Sequence, residues 1–474
     1  DGIAIIDPHS GAWAERTTGW PRTLSSSTAP ALTNNDVQSV AAGFGDAPAY
    51  DPRTGGPLPV FGVTYGTGAD CASFLSNNGN VFDRSGTVSD NAGCGFVNGY
   101  FVYSNLAGTD AQNIQGTQAK IEAVTADDWT QLAVLRDNSA NWGLGITNGM
   151  STAGSDFIAS ASSEGVTFVH LGIPVIGASF NTMTASVNRV YNTGYYMSRL
   201  TKGLWLANSN TVDRQRGLNT LTQTGSITEA AVESGAELLG YSGFSGSIYL
   251  ARTATDADYN ALGNGPAYIS IWFKSSGNSG NEDLITIGTS SSNPELLIRL
   301  TPSGFIEGID RGATSLIQIT GTQTYDNGLW HKVDFYRVSN VERYLYVDSV
   351  LIGSSTADAG SLTDSSMRAA VGSNSNLGTQ PSASSVLALA KLSVTVPTDT
   401  QLRQMYDAEK GMFVASAECL LQSGSTDAVI DVDVDPLSGK VIVTQTDAIT
   451  IFDGLAIDSK PTVNSGASEK GKLW

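Results

Sequence analysis

The stretch Asp326-Asn-Gly-Leu-Trp-His-Lys-Val-Asp-Phe-Tyr336 decides how the middle of this chain reads. A polar turn hands over to a run in which large apolar residues recur. Upstream, Ala267-Tyr-Ile-Ser-Ile-Trp-Phe-Lys274 sets Ile269, Ile271 and Phe273 against Ser270 and Lys274. Downstream, Tyr344-Leu-Tyr-Val-Asp-Ser-Val-Leu-Ile-Gly353 sets Tyr344 and Tyr346 against Leu345 and Val347. A period of two marks half-buried antiparallel strands. From Tyr241-Ser-Gly-Phe-Ser-Gly-Ser-Ile-Tyr-Leu250 to Lys410, short strands are punctuated by Gly, Ser and Asn, which predicts two packed sheets. One helix closes the segment. Pro397 precedes Thr398-Asp-Thr-Gln401, a capping box, and Leu402, Met405 and Tyr406 form a stripe that predicts the helix lies on the sandwich. Gly411 is the expected stop.

The order of these pieces resembles a laminin-G-like, concanavalin-type jelly roll spanning 218–411. In that family a Trp-His pair starts a central strand and a Tyr-Val-Asp-Gly hairpin follows. Trp330-His331 fits, whereas Ser349 stands where the turn glycine is usual and leaves the turn type open. Trp330 is expected to be buried between the two sheets.

Composition narrows the function. Charged residues are only 15% of 474, and hydrophobic residues are 41%, enough for real cores. With 26 basic against 45 acidic residues, the net charge is −19. Such a surface repels nucleic-acid phosphates, which excludes a DNA-gripping protein but not the lining of an acidic conduit. Cys71, Cys94 and Cys419 are too few for a disulfide framework. Cys71 and Cys94 could pair; buried thiols are the preferred reading. No apolar run approaches the roughly eighteen residues of a membrane span, and the longest, Val386 to Val396, contains Lys391. No signal-peptide pattern opens the chain, and it begins with Asp1, so a processed or partial segment of something longer is expected.

Outside the central segment a turn recurs. Asp7-Pro-His-Ser-Gly11, Asp51-Pro-Arg-Thr-Gly55 and Asp435-Pro-Leu-Ser-Gly439 share the form Asp-Pro-x-Ser/Thr-Gly, each set among apolar or alternating runs. Asp first, Pro second and a late Gly make a type I hairpin with a bulge. The first two copies lie 44 residues apart, the length of one four-stranded propeller blade. Asp128-Trp129 weakly echoes a WD dipeptide. Asn208 to Gly225 reads as a linker. Because the turn recurs on both sides of the jelly roll, the expectation is an all-β chain in which a β-propeller of about six blades carries the jelly roll as an insertion. Residues 1–212 would form its first part and 412–474 its closing strands and tail.

The segment from Tyr191 to about Lys460 resembles tail-fibre-like structural proteins of tailed bacteriophages. The resemblance rests on Tyr191-Asn-Thr-Gly-Tyr195 with Lys202-Gly203 and Leu206, and on Gly240-Tyr-Ser-Gly-Phe-Ser245. It continues through Asp407-Ala-Glu-Lys-Gly-Met-Phe413 leading to Cys419, and through Asp427-Ala-Val-Ile430 with Val441-Ile-Val443. It implies an extracellular virion component of the tail, homo-oligomeric, in contact with other virion proteins. The lectin-like module would meet host-surface glycan or a virion protein. A tail hub or nozzle component and a glycoside hydrolase of the concanavalin-like fold are the alternatives.

Chemistry is weighed residue by residue. A retaining glycosidase on this fold needs two carboxylates about 5 Å apart, often from Glu-x-Asp-x-x-Glu. Glu307-Gly-Ile-Asp310 lacks that spacing and the second Glu, so no enzyme is expected and no catalytic residue is assigned. His9, His170 and His331 are widely separated in sequence, and His331 reads as a packed, hydrogen-bonded element rather than a base or ligand. Asp431, Asp433 and Asp435 mimic the start of a calcium loop, but Pro436 and Ile442 sit where that loop needs Gly and Glu. Asp283, Asp310 and Asp326 are candidate rim calcium ligands that no spacing singles out. No metal, no cofactor and no specific ligand-binding residue is assigned.

Overall fold

A computed structural model gives the architecture. In the second half it describes residues 201–214, 219–252, 263–289, 294–364, 366–419, 429–435, 437–446 and 448–461. In the first half it describes 4–6, 13–15, 37–44, 48–50, 52, 55–65, 68–76, 81–88, 93–97, 99–106, 112–117, 121, 124, 131–137, 149–153, 157–162, 165–171, 182–188 and 194–197. The chain divides into two compact units. One comprises Asp1–Arg189, Leu421–Asp453 and Asp458–Trp474; the other comprises Val190–Leu420 and Gly454–Ile457.

The second unit is a sandwich. Its strands are β1 (Thr201–Trp205), β2 (Thr222–Thr224), β3 (Thr228–Ala231), β4 (Leu239–Ser242), β5 (Tyr249–Ala251), β6 (Ala267–Ser275), β7 (Glu282–Gly288) and β8 (Glu295–Leu300). They continue with β9 (Phe305–Arg311), β10 (Leu316–Thr324), β11 (Trp330–Ser339), β12 (Glu342–Val347), β13 (Val350–Ser355), β14 (Arg368–Val371) and β15 (Ser385–Ser393), before helix α1 (Asp399–Lys410). An eight-stranded sheet runs β3-β4-β15-β6-β11-β12-β13 with β1 also on β15, and a seven-stranded sheet runs β2-β5-β14-β7-β8-β9-β10.

The period of two in the sequence explains the core. Ile269, Ile271, Phe273, Val333, Phe335, Leu345 and Val347 from one sheet meet Leu284, Ile285, Ile287, Leu296, Ile298, Leu300 and Ile306 from the other. The same parity corrects the expectation for Trp330. Its neighbour His331 and residues 333 and 335 point inward, so Trp330 points outward, half-buried, packs its ring 4.8 Å from Phe413 and donates Nε1–H to Val232 O. Nor is the outer face of this sheet wet. Leu402 and Met405 of α1 are fully buried, and Trp272 stacks on Tyr406 at 5.6 Å and on Phe413 at 4.2 Å.

The capping box forms as predicted: Thr398 Oγ1 accepts from Gln401 N–H, and Gln401 Oε1 accepts from Thr398 N–H. Gly411 does not end α1 in a left-handed cap. Its φ is −64°, and the chain tightens into a 3₁₀ turn, Gly411–Phe413. The hairpin after β12 is also settled. Val347 pairs with Val350, and Asp348 and Ser349 have φ of 51° and 64°, a two-residue type I′ turn held without glycine. Asn208–Gly225 is no linker, because Leu221 enters the core, Trp205 Nε1–H donates to Asn219 O, and Asn208 bonds Glu237 and Leu239.

The first unit is built of antiparallel meanders. One sheet comprises Val37–Gly43, Val60–Tyr65, Gly68–Leu75 and Val81–Val88; a second comprises Cys94–Val97, Tyr100–Leu106, Gln112–Thr117 and Gln131–Asp137. A third runs through Gly149–Ala153, Phe157–Ser162, Gly165–Leu171 and Thr182–Asn188, and another through Val429–Val434, Val441–Gln445 and Ile449–Asp453. Ala4–Ile6 pairs with Trp13–Glu15. Among the described residues these remain separate open sheets; none closes on itself and no ring of blades forms. That overturns the β-propeller of about six blades. The recurring turn specifies a hairpin, and a hairpin is common to every antiparallel meander. At the third copy the hairpin itself is present: Asp435 accepts from Leu437 and Ser438 N–H, and Gly439 has φ of 71°. The first copy and Asp128-Trp129 lie outside the described residues, as does most of the second copy.

Candidate functional site

The outward face of the seven-stranded sheet starts from Glu295-Leu-Leu-Ile-Arg-Leu300. Leu296, Ile298 and Leu300 point into the core, so Glu295, Leu297 and Arg299 point out. Strand register extends these three into rows. The first row is Arg368, Gly288, Glu295, Arg311 and Leu316; the second is Ala370, Thr286, Leu297, Ile309 and Gln318. The third is Asp283, Arg299, Glu307 and Thr320. Two charged rows thus flank a row that is apolar at Ala370, Leu297 and Ile309 and polar at Thr286 and Gln318.

The charged rows are internally paired. Arg299 grips Asp283 through Nε at 2.7 Å and Nη2 at 3.3 Å, and also bonds Gln380. Glu307 accepts from Gln318 Nε2 at 2.7 Å and Thr320 Oγ1 at 3.2 Å. Glu295 faces Arg311 Nε at 3.4 Å and accepts from Ser375 Oγ at 3.4 Å. Gly288 lets Glu295 sit there, because a Cβ at 288 would lie 2.6 Å from Glu295 Cβ. Burial pushes the Glu295 carboxyl up to about 7, with Arg311 opposing and Asp283 reinforcing the rise. Burial also raises Asp283, against the pull of Arg299. The face opens toward β9 and β10, where Arg311 is 34% exposed and Leu316, Gln318 and Thr320 are exposed. A guanidinium, an amide and a hydroxyl on a flat strand surface can hydrogen-bond ligand hydroxyls while Leu316 supplies apolar contact.

The carboxylates singled out in the sequence do not assemble. Glu307 faces outward and Asp310 inward, because three positions along a strand reverse the side. Asp310 is buried between two arginines, with Arg337 Nη1 at 3.1 Å and Arg343 Nε at 3.0 Å, while Asp283 is held by Arg299 and Asp326 sits against Gly304. His331 is packed and bonded: Nδ1 lies 2.7 Å from Asp348 Oδ2, Nε2 lies 3.1 Å from Asn327 Oδ1, and the ring meets Tyr325 edge-on. His170 packs edge-on against Phe157, and His9 lies outside the described residues. Asp433 accepts from Ser151 Oγ, Asp431 is raised by burial, and Asp435 caps its own turn. Cys94 and Cys419 are buried thiols rather than disulfides. Burial pushes Cys94 up to about 12. Glu295, Arg299 and Arg311 were missed in sequence. Their signal was the same alternation that located the strands, applied to the outward positions.

No family model and no curated protein matches this chain. Solved structures show only remote likeness. Domain 4 of AbnA, an extracellular arabinanase of Geobacillus stearothermophilus in complex with arabinotriose, is 16% identical with a TM-score of 0.35, over 44% of this chain and 98% of that one. The binding domain of Paraclostridial mosquitocidal protein 1 is 11% identical with a TM-score of 0.36, over 57% and 72%. The receptor-binding domain of botulinum neurotoxin D is 10% identical with a TM-score of 0.36, over 53% and 63%. Likeness at this level carries no argument about the ligand of this chain.

Proposed function

We propose that the sandwich is a non-catalytic recognition module whose seven-stranded face contacts glycan on a cell surface. The observation that supports this is the pair of charged rows flanking a partly apolar row, open at Arg311, Leu316, Gln318 and Thr320. Hydrolysis is disfavoured because the two raised carboxyls of this face, Glu295 and Asp283, have side chains at most 1% exposed and turned into their ion pairs, out of reach of a substrate. The finer assignment, an oligomeric tail protein of a phage particle touching host glycan or another virion protein, rests on the sequence resemblance alone. The matching domain proposal is that 218–411 is an insert between 1–212 and 412–474. A glycan array probed with the purified chain and with Arg311→Ala and Gln318→Ala tests the module. Retention of a glycan by the parent and its loss from both folded variants is expected. Equal binding by all three moves the site elsewhere.

A further inference from the structure

The outward face of the eight-stranded sheet carries charges where a covered surface ordinarily carries apolar side chains. Register places Lys391 of β15, Ser270 of β6 and Asp334 of β11 in one row across adjacent strands. Lys332 Nζ lies 2.9 and 3.1 Å from the two oxygens of Asp334, and the Tyr268 hydroxyl donates to Asp334 at 2.7 Å. Helix α1 brings Glu409 to the same place. Tyr268, Ser270, Lys332, Asp334, Lys391 and Glu409 are each at most 1% exposed.

The Glu409 carboxylate is held from three sides. Tyr195 N–H donates to Oε1 at 2.9 Å, Trp272 Nε1–H donates to Oε2 at 2.7 Å, and Lys391 Nζ contacts Oε1. Taking both ions out of water carries a cost that their contact must offset. Burial pushes the Lys391 amine down, opposed by Glu409 and aided by Lys332. A neutral amine is a nucleophile, and a carboxyl group whose two oxygens each accept an N–H bond is polarised toward attack.

We propose that Lys391 and Glu409 condense into an intramolecular isopeptide bond that ties β15 to α1. The ammonium proton passes to the carboxylate, leaving amine and carboxylic acid. Nζ attacks Cδ, the C–N bond forms, one Cδ–O bond breaks, and that oxygen leaves as water. The second amine proton passes to the departing hydroxyl. Amine plus acid gives amide plus water, so the step needs no oxidant or co-reactant, and it removes two buried charges.

The test is the intact mass of the purified full chain after denaturation, followed by peptide mapping. The expected result is a mass lower than the sequence mass by one water, with a branched peptide joining Lys391 to Glu409. The Lys391→Ala chain should show its full sequence mass. An unshifted parent mass, or a water loss that maps to other residues, overturns the bond and leaves a plain buried ion pair.

Discussion

Replacing Glu295 by Gln should stabilise the sandwich at pH 8 and leave it unchanged at pH 5. Burial raises this carboxyl from 4.5 to about 7. The folded chain therefore holds a proton that the unfolded chain has lost between those values, and stability falls as pH rises through that window. At 1.36 kcal/mol per unit, the ionised group costs the folded state about 3 kcal/mol once pH exceeds 7. Gln keeps the shape and the Ser375 bond, and the attraction of Arg311 is already contained in the value of about 7, so the net gain at pH 8 is about 3 kcal/mol. For a unit of this size that is roughly 6–12 °C in the unfolding midpoint. Thermal unfolding of parent and variant at pH 5, 6, 7 and 8 reads it. A difference that is constant across the series, or that grows toward pH 5, refutes the burial argument.

Other substitutions probe separate features. Ser349→Gly should stabilise by about 1 kcal/mol, because a β-carbon at φ of 64° is strained and glycine is not; chemical denaturation showing no gain would count against the type I′ turn. Asp310→Asn should cost about 3–5 kcal/mol by leaving Arg337 and Arg343 buried without a countercharge, read as a lowered denaturation midpoint. Trp330→Ala should cost about 1–2 kcal/mol, less than the 3–5 expected of a core tryptophan; a larger loss of stability would put the ring back between the sheets. The segment Val190–Leu420, produced alone, should unfold cooperatively, and a non-cooperative melt would show that it needs the rest of the chain.

Much of the sandwich was readable because its inward residues repeat every second position. Ile269, Ile271 and Phe273 announced β6, and Thr398 with Gln401 announced the start of α1. The same rule, followed one residue further, would have turned Trp330 outward; its size and its place beside His331 pulled it into the core instead. Ser270, Lys332, Asp334 and Lys391 alternate with apolar neighbours and so read as wet. Only a tertiary fact, the helix folding back over them, buries them. The larger error lay outside the sandwich. Asp-Pro-x-Ser/Thr-Gly encodes a hairpin within a few residues, whereas a propeller depends on how whole sheets associate, which no local turn specifies. The candidate face was hidden for a related reason: Asp283, Glu295, Arg299 and Glu307 come from three strands and meet only through register.

The central claim is that the seven-stranded face binds glycan, and a structure of the chain with a retained oligosaccharide tests it most directly. The account predicts sugar lying across β9 and β10, with hydroxyls within hydrogen-bonding distance of Arg311 and Gln318 and a ring face on Leu316. Sugar seated instead at the loops around Leu329 and Val350, with the seven-stranded face bare, would contradict it.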